Sequence, residues 1–121
     1  MEADISVLDA LEDNLKKALT ELLLLHLISR KESYIGELTE AIREKSGGAL
    51  SIVFPYSAIY RMLRSEFILE SEKRIAPDGR RRQYYTITPK GQHHLQAMTD
   101  TYNRFINGFN RILSEESEGD A

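Results

Sequence analysis

A chain of 121 residues with no cysteine and a formal net charge of −3 has room for one modest core. Disulfides, thiol nucleophiles and Cys-based zinc sites are excluded, and the run Leu22 to Leu25 falls far short of the roughly 20 apolar residues that span a bilayer. Charged residues at 29%, with apolar residues spread along most of the length, predict a folded soluble domain.

The N-terminus, Met1-Glu2-Ala3-Asp4, is acidic where a secretory leader is basic, so a cytoplasmic location is the expectation. Ser6 and Asp9 read as the start of a first helix, with the hydroxyl capping and the carboxylate favouring the positive end of the dipole. Leu8, Leu11, Leu15, Ala18, Leu22 and Leu25 then recur at helical intervals. Leu19, Leu23, Leu24, Leu27 and Ile28 widen the apolar surface near Thr20 to Ser29, which predicts burial on several sides there. The pattern allows one helix or two over residues 6–29. His26, inside this leucine-rich stretch, reads as a buried or interface histidine.

Ser33 reads as the cap of a second helix with Ile35, Leu38, Ala41 and Ile42 on one face, ending at about Lys45 before Gly47-Gly48. Leu50, Ile52 and Phe54 alternate as a short extended piece does, and Pro55 restricts Phe54 to an extended conformation. A third helix is predicted from about Tyr56 to Glu66. Ile59, Met62 and Leu63 point one way on it, while Ser57, Tyr60, Arg61 and Arg64 point the other.

Glu70 to Ala76, Pro77-Asp78-Gly79 and Arg80 to Ile87 form a strand, a turn signal and a second strand. Between residues 73 and 91, Lys73, Arg74, Arg80, Arg81, Arg82 and Lys90 face Asp78 alone, six bases against one acid. Acids crowd the two ends instead, with Glu2, Asp4, Asp9, Glu12 and Asp13 at one and Glu115, Glu116, Glu118 and Asp120 at the other. The charge is therefore polarised, which matters more for an anionic partner than its sum.

Thr88-Pro89 places a capping residue before a proline at the first helical position. Leu95, Met98, Tyr102, Phe105, Phe109 and Ile112 follow at heptad spacing, the pattern of a coiled-coil seam. With Leu8, Leu11 and Leu15, they are the expected dimer interface. Residues 114–121 read as an acidic, disordered tail.

Helix, helix, loop, helix and basic hairpin is the order of a winged helix-turn-helix, in which the third helix enters the major groove and the hairpin lies along phosphates or a neighbouring minor groove. The expected fold is mainly α with a small β-hairpin wing, flanked by N-terminal and C-terminal dimerisation helices. Arg61 and Arg64 can donate to guanine or phosphate, and Ser57 and Tyr60 offer hydroxyls. Lys73, Arg74, Arg80, Arg81, Arg82 and Tyr84 complete the expected DNA-binding set. The competing reading leaves Arg80 to Arg82 a solvated run and pairs Arg61 and Arg64 with Glu66 or Glu70.

Phe54-Pro55-Tyr56, the segment through Leu63, Ile68-Leu69-Glu70-Ser71 and, above all, Gly79 to Gly91 with Tyr84-Tyr85-Thr86-Ile87-Thr88 resemble the PadR family of bacterial transcriptional regulators. The resemblance covers roughly residues 19–91 and, more loosely, the last helix. It implies a single domain over residues 1–113, with the winged helix-turn-helix at about 19–88 and a dimerisation helix at 89–113, as in the family's shorter subfamily. It further implies a homodimer acting as a repressor on a palindromic duplex operator, relieved in some members by a small aromatic or lipophilic compound. Two departures stand out: the family usually has Gly where Phe67 stands, and its Gly-Tyr after the first helix is here Tyr34-Ile35-Gly36. Some short members bind planar drugs through a Trp that this chain lacks, and Tyr102, Phe105 and Phe109 are the aromatic residues that could line such a cavity.

No nucleophile with its base, paired acids at a cleft or Gly-rich phosphate loop occurs in convincing context, so no catalytic residue and no cofactor is expected. His93 and His94 lie about 100° apart on a helix without a ligand one turn away, which predicts exposed histidines and no metal. The alternative from another class is a winged-helix protein-interaction module that does not bind DNA, suggested by the acidic net charge.

Overall fold

A computed structural model describes residues 4–52 and 55–115. Helix α1 (Ile5–Arg30) is one continuous helix, which settles the choice between one and two. Asp4 caps it, not Ser6: the Asp4 carboxylate accepts from the Ser6 N–H at 3.0 Å and from the Val7 N–H at 3.4 Å. A carboxylate satisfies the orphan donors and also sits at the positive end of the dipole.

Strand β1 (Ser33–Tyr34) follows, then α2 (Ile35–Lys45) and α3 (Tyr56–Arg64). Ser33 is thus a buried strand residue and Tyr34 the cap of α2, contrary to the expected Ser33 cap. The chain is held extended at Ser33 because it pairs with Tyr85 in the sheet. Leu50 to Ile52 form no regular element; the rest of the expected extended piece, at Phe54, falls outside the described residues, as does the tail from residue 116.

β2 (Ile68–Ile75) and β3 (Arg81–Ile87) make the hairpin, and α4 (Pro89–Leu113) completes the chain. The three strands are antiparallel in the order β1-β3-β2. At the hairpin tip the Gly79 N–H donates to the Ala76 carbonyl at 2.9 Å, and the Asp78 carboxylate accepts from the Arg80 N–H at 3.0 Å. Gly79 has φ 81°, a conformation that favours glycine.

The core lies where the second half of α1 meets α2, α3 and the sheet. Leu24, Leu25 and Ile28 pack with Leu38, Ile42, Ala58, Ile59, Met62, Ile68 and Tyr85. The apolar positions of α2 and α3 recur at helical spacing, so each helix buries one stripe and leaves the other free. Residues 5–15 of α1 and the C-terminal half of α4 project from this core with their apolar side chains bare.

Helix α3 ends two residues before its expected end. The Glu66 N–H donates to the Leu63 carbonyl at 3.0 Å and the Phe67 N–H to the Met62 carbonyl at 2.9 Å, with Glu66 at φ 63°. This is a paired left-handed helix stop. It turns the chain into β2 at Glu66, and Phe67, where the family usually has Gly, instead packs its ring on His94 of α4 at 4.0 Å. His94 is accordingly half-buried rather than exposed, while His93 is exposed as expected.

Candidate nucleic-acid interface

The outer face of α3 carries Ser57, Tyr60, Arg61 and Arg64, all exposed. Tyr60 is 64% exposed, and the Arg64 guanidinium lies 5.9 Å from its ring centre. Arg61 approaches Glu21 of α1 at 3.8 Å, not Glu66 or Glu70. Such an exposed pair is weak, on the order of 0–1 kcal/mol, so it orients Arg61 without locking it.

The register of the hairpin sorts the wing into two faces. Arg74 pairs with Arg82, Ile75 with Arg81 and Lys73 with Gln83. Since successive strand residues point to opposite sides, Arg74, Arg82 and Tyr84 share one face. Lys73, Ile75, Arg81 and Gln83 share the other, with Tyr85, which is packed into the core beside α3.

On the first face the charges are already engaged. Arg82 reaches Asp78 at 2.7 Å; Arg74 reaches Glu32 at 3.3 Å and Glu72 at 3.1 Å. Arg74 also lies over the Tyr84 ring, 3.8 Å from its centre. Tyr84 is only 6% exposed and packs edge-on against Tyr34. Tyr84, one of the expected DNA-binding residues, thus lies beneath Arg74. The hydrogen bond from Arg82, helped by the Arg80 N–H, holds the Asp78 carboxyl below the usual carboxylate range.

On the second face Lys73 and Arg81 are exposed, and Arg80 stands exposed at the tip; none of the three makes an ion pair among the described residues. Arg80, Arg81 and Arg82 form one cluster in the sequence, but alternation and the fixed acid at Asp78 divide them in the fold. Tyr56 and Gln83, which stood outside the expected DNA-binding set, border the same face across a cleft of about 340 Å³. The sequence signals for them are their places in the family-like segments, the position of Tyr56 at the start of α3 and the parity of Gln83 with Arg81.

The expected dimer residues divide as well. Leu95 and Met98, expected in the dimer interface, are half-buried and pack against the core of their own chain. Phe105 and Phe109 are 56% and 57% exposed, and Tyr102, Ile112, Leu8, Leu11 and Leu15 are exposed too. A groove of about 540 Å³ between α1 and α4 is lined by Leu15, Leu19, Leu22, Met98, Tyr102 and Phe105, among others. His26 is exposed in the single chain, on the opposite side of α1, rather than buried.

No group of His, Asp and Glu among the described residues could hold a metal ion, and no helix among them is long and apolar enough to cross a membrane.

Four helices among the described residues and a three-stranded sheet, with a basic hairpin beside an arginine-bearing helix, define a protein of the winged helix-turn-helix class. The chain belongs to the transcriptional regulator PadR-like family, whose pattern matches residues 24–97. A PadR-like transcriptional regulator from Bacillus cereus is similar in structure, with a TM-score of 0.72 at 26% identity over 85% of this chain and 99% of that one. A PadR family transcriptional regulator from Eggerthella lenta has a TM-score of 0.75 at 17% identity over 98% of both chains. A PadR family transcription regulator from Clostridium difficile has 0.66 at 21% over 79% of this chain and 99% of that one. No curated protein matches the sequence. The family and these neighbours are transcriptional regulators, not enzymes.

Proposed function

We propose that the protein is a homodimeric, sequence-specific repressor that binds a palindromic duplex operator through α3 and the wing. The observation that carries this reading is the adjacency of two available donor surfaces: the outer face of α3 and the wing face with Lys73 and Arg81. Arg61 and Arg64 sit where side chains of a helix in the major groove reach base edges, while Lys73, Arg80 and Arg81 follow phosphates. Arg74 and Arg82, already paired, contribute less. Two such units one helical turn apart, about 34 Å, would engage successive major grooves.

The bare leucines of α1 and aromatics of α4 would be covered by a second copy, and a small lipophilic or aromatic inducer would enter the groove between these helices. A regulator of this kind works in the cytoplasm of a bacterium.

Binding to duplex DNA at several salt concentrations tests the reading. Removing one cation from a phosphate lowers the logarithmic salt slope by about one. Replacing Arg80, Arg81 and Arg82 with Ala should therefore flatten it by about two, Arg82 being pre-empted by Asp78. Arg61→Ala and Arg64→Ala should each cost about 1–3 kcal/mol at one operator position and relax preference there. Wild-type protein with no salt-dependent affinity for duplex DNA would favour the protein-interaction alternative.

A further inference from the structure

We propose that the cleft between β3 and the first turns of α2 and α3 seats one backbone phosphate of duplex DNA, and that Tyr56, Gln83 and Arg81 hold it. The inference rests on the DNA-binding reading above and adds to it the residues that set how α3 is placed in its groove.

The cleft is bordered by Tyr34, Gly36, Tyr56, Arg81 and Gln83, and no carboxylate lines it. Three donors at its border remain available. The Arg81 guanidinium has no ion pair among the described residues. Tyr56 is 61% exposed, and its hydroxyl has no hydrogen-bond partner among them. The Gln83 amide donates one N–H to the Tyr84 carbonyl at 2.9 Å, which leaves the second free. A cation together with neutral donors is a set that suits a phosphate oxygen.

The next cleft along the surface has the opposite character. Beyond Tyr34 and Arg82, a space of about 460 Å³ is lined by Glu37, Glu40, Glu44 and Asp78. Glu37 is paired there with Lys31, Glu40 with Arg43 and Asp78 with Arg82, which leaves Glu44 unpaired and no free cation among the described residues, so the DNA backbone is favoured in the first cleft over the second, on either side of Tyr34. Tyr56 is the first residue of α3. A phosphate held at Tyr56 therefore fixes the start of the recognition helix, which is how backbone contacts set register without reading sequence.

The test uses the full chain and a labelled random-sequence duplex about two helical turns long. Tyr56→Phe removes a donor and no charge, so affinity should fall about fivefold or more with an unchanged salt slope. Arg81→Ala should lower the slope by about one. Because both groups would hold the same phosphate, Tyr56→Phe added to Arg81→Ala should cost clearly less than Tyr56→Phe alone. Gln83→Glu, which places a carboxylate in the cleft, should weaken binding more than Gln83→Ala. Thermal melting checks that these surface variants remain folded. If the wild type fails to bind the duplex, the DNA-binding reading falls and this one with it. A wild type that binds, with Tyr56→Phe and Gln83→Glu indistinguishable from it or with strictly additive losses, overturns the phosphate seat alone.

Discussion

A Cβ atom placed on Gly91 would lie 2.0 Å from the carbonyl oxygen of Phe67 and 2.9 Å from Cγ1 of Ile87. The first turn of α4 thus presses directly on the backbone that leaves α3. Thr88 ties the same joint: its N–H donates to the Phe67 carbonyl at 3.0 Å, its hydroxyl donates to the Glu66 carbonyl at 2.6 Å, and that oxygen caps the Gly91 N–H at 2.9 Å. Gly91→Ala forces backbone apart, where overpacking costs of about 1–3 kcal/mol are usual. We expect a loss of about 3 kcal/mol or more in denaturant unfolding; a loss below about 1 kcal/mol would show that α4 can shift away freely.

Glu66 occupies the left-handed position of the α3 stop without being glycine. An L-residue there costs about 1–2 kcal/mol, while the greater chain entropy of glycine offsets roughly 0.5–1 kcal/mol of the gain. Glu66→Gly should therefore stabilise the protein by about 0.5–1 kcal/mol in the same unfolding experiment.

Asp78→Asn keeps an oxygen to accept the Arg80 N–H but removes the charge that engages Arg82. Duplex affinity should rise, and the salt slope should steepen by about one. The sign with pH is also determined. Asp78 has a lowered value in the folded chain, so its contribution is present above the unfolded value of about 3.9 and is lost as pH falls through the folded one. Binding measured between about pH 6 and 8 should show no titration of Asp78.

Phe105 and Phe109 lie on the projecting half of α4, away from the core of their own chain. Phe105→Ala with Phe109→Ala should leave each subunit folded while removing apolar area from the seam, at up to about 3 kcal/mol for each side chain that a second copy buries. Sedimentation should find folded monomers that no longer bind an operator. Folded dimers with unchanged affinity would put the interface elsewhere.

Periodicity located the buried stripes of α1 and α3, because Leu24, Leu25 and Ile28 and then Ile59 and Met62 stand at core spacing in the bare sequence, but it left open whether residues 6–29 form one helix or two. The cap at Thr88-Pro89 and the turn at Pro77-Asp78-Gly79 were equally legible, since they depend on local backbone chemistry. What strand pairing and packing decided could not be read locally. Ser33 looks like a helix cap until Tyr85 claims it for the sheet. Leu95 continues a heptad pattern yet turns onto its own core, because spacing along a helix does not say which neighbour lies opposite. Arg81 and Arg82 are adjacent cations in sequence; only the pleat of β3 and the position of Asp78 across the turn leave one free and neutralise the other. A one-dimensional charge count measures how much basic character the wing has, whereas the direction in which it can be used depends on which side chains the folded hairpin places on each face.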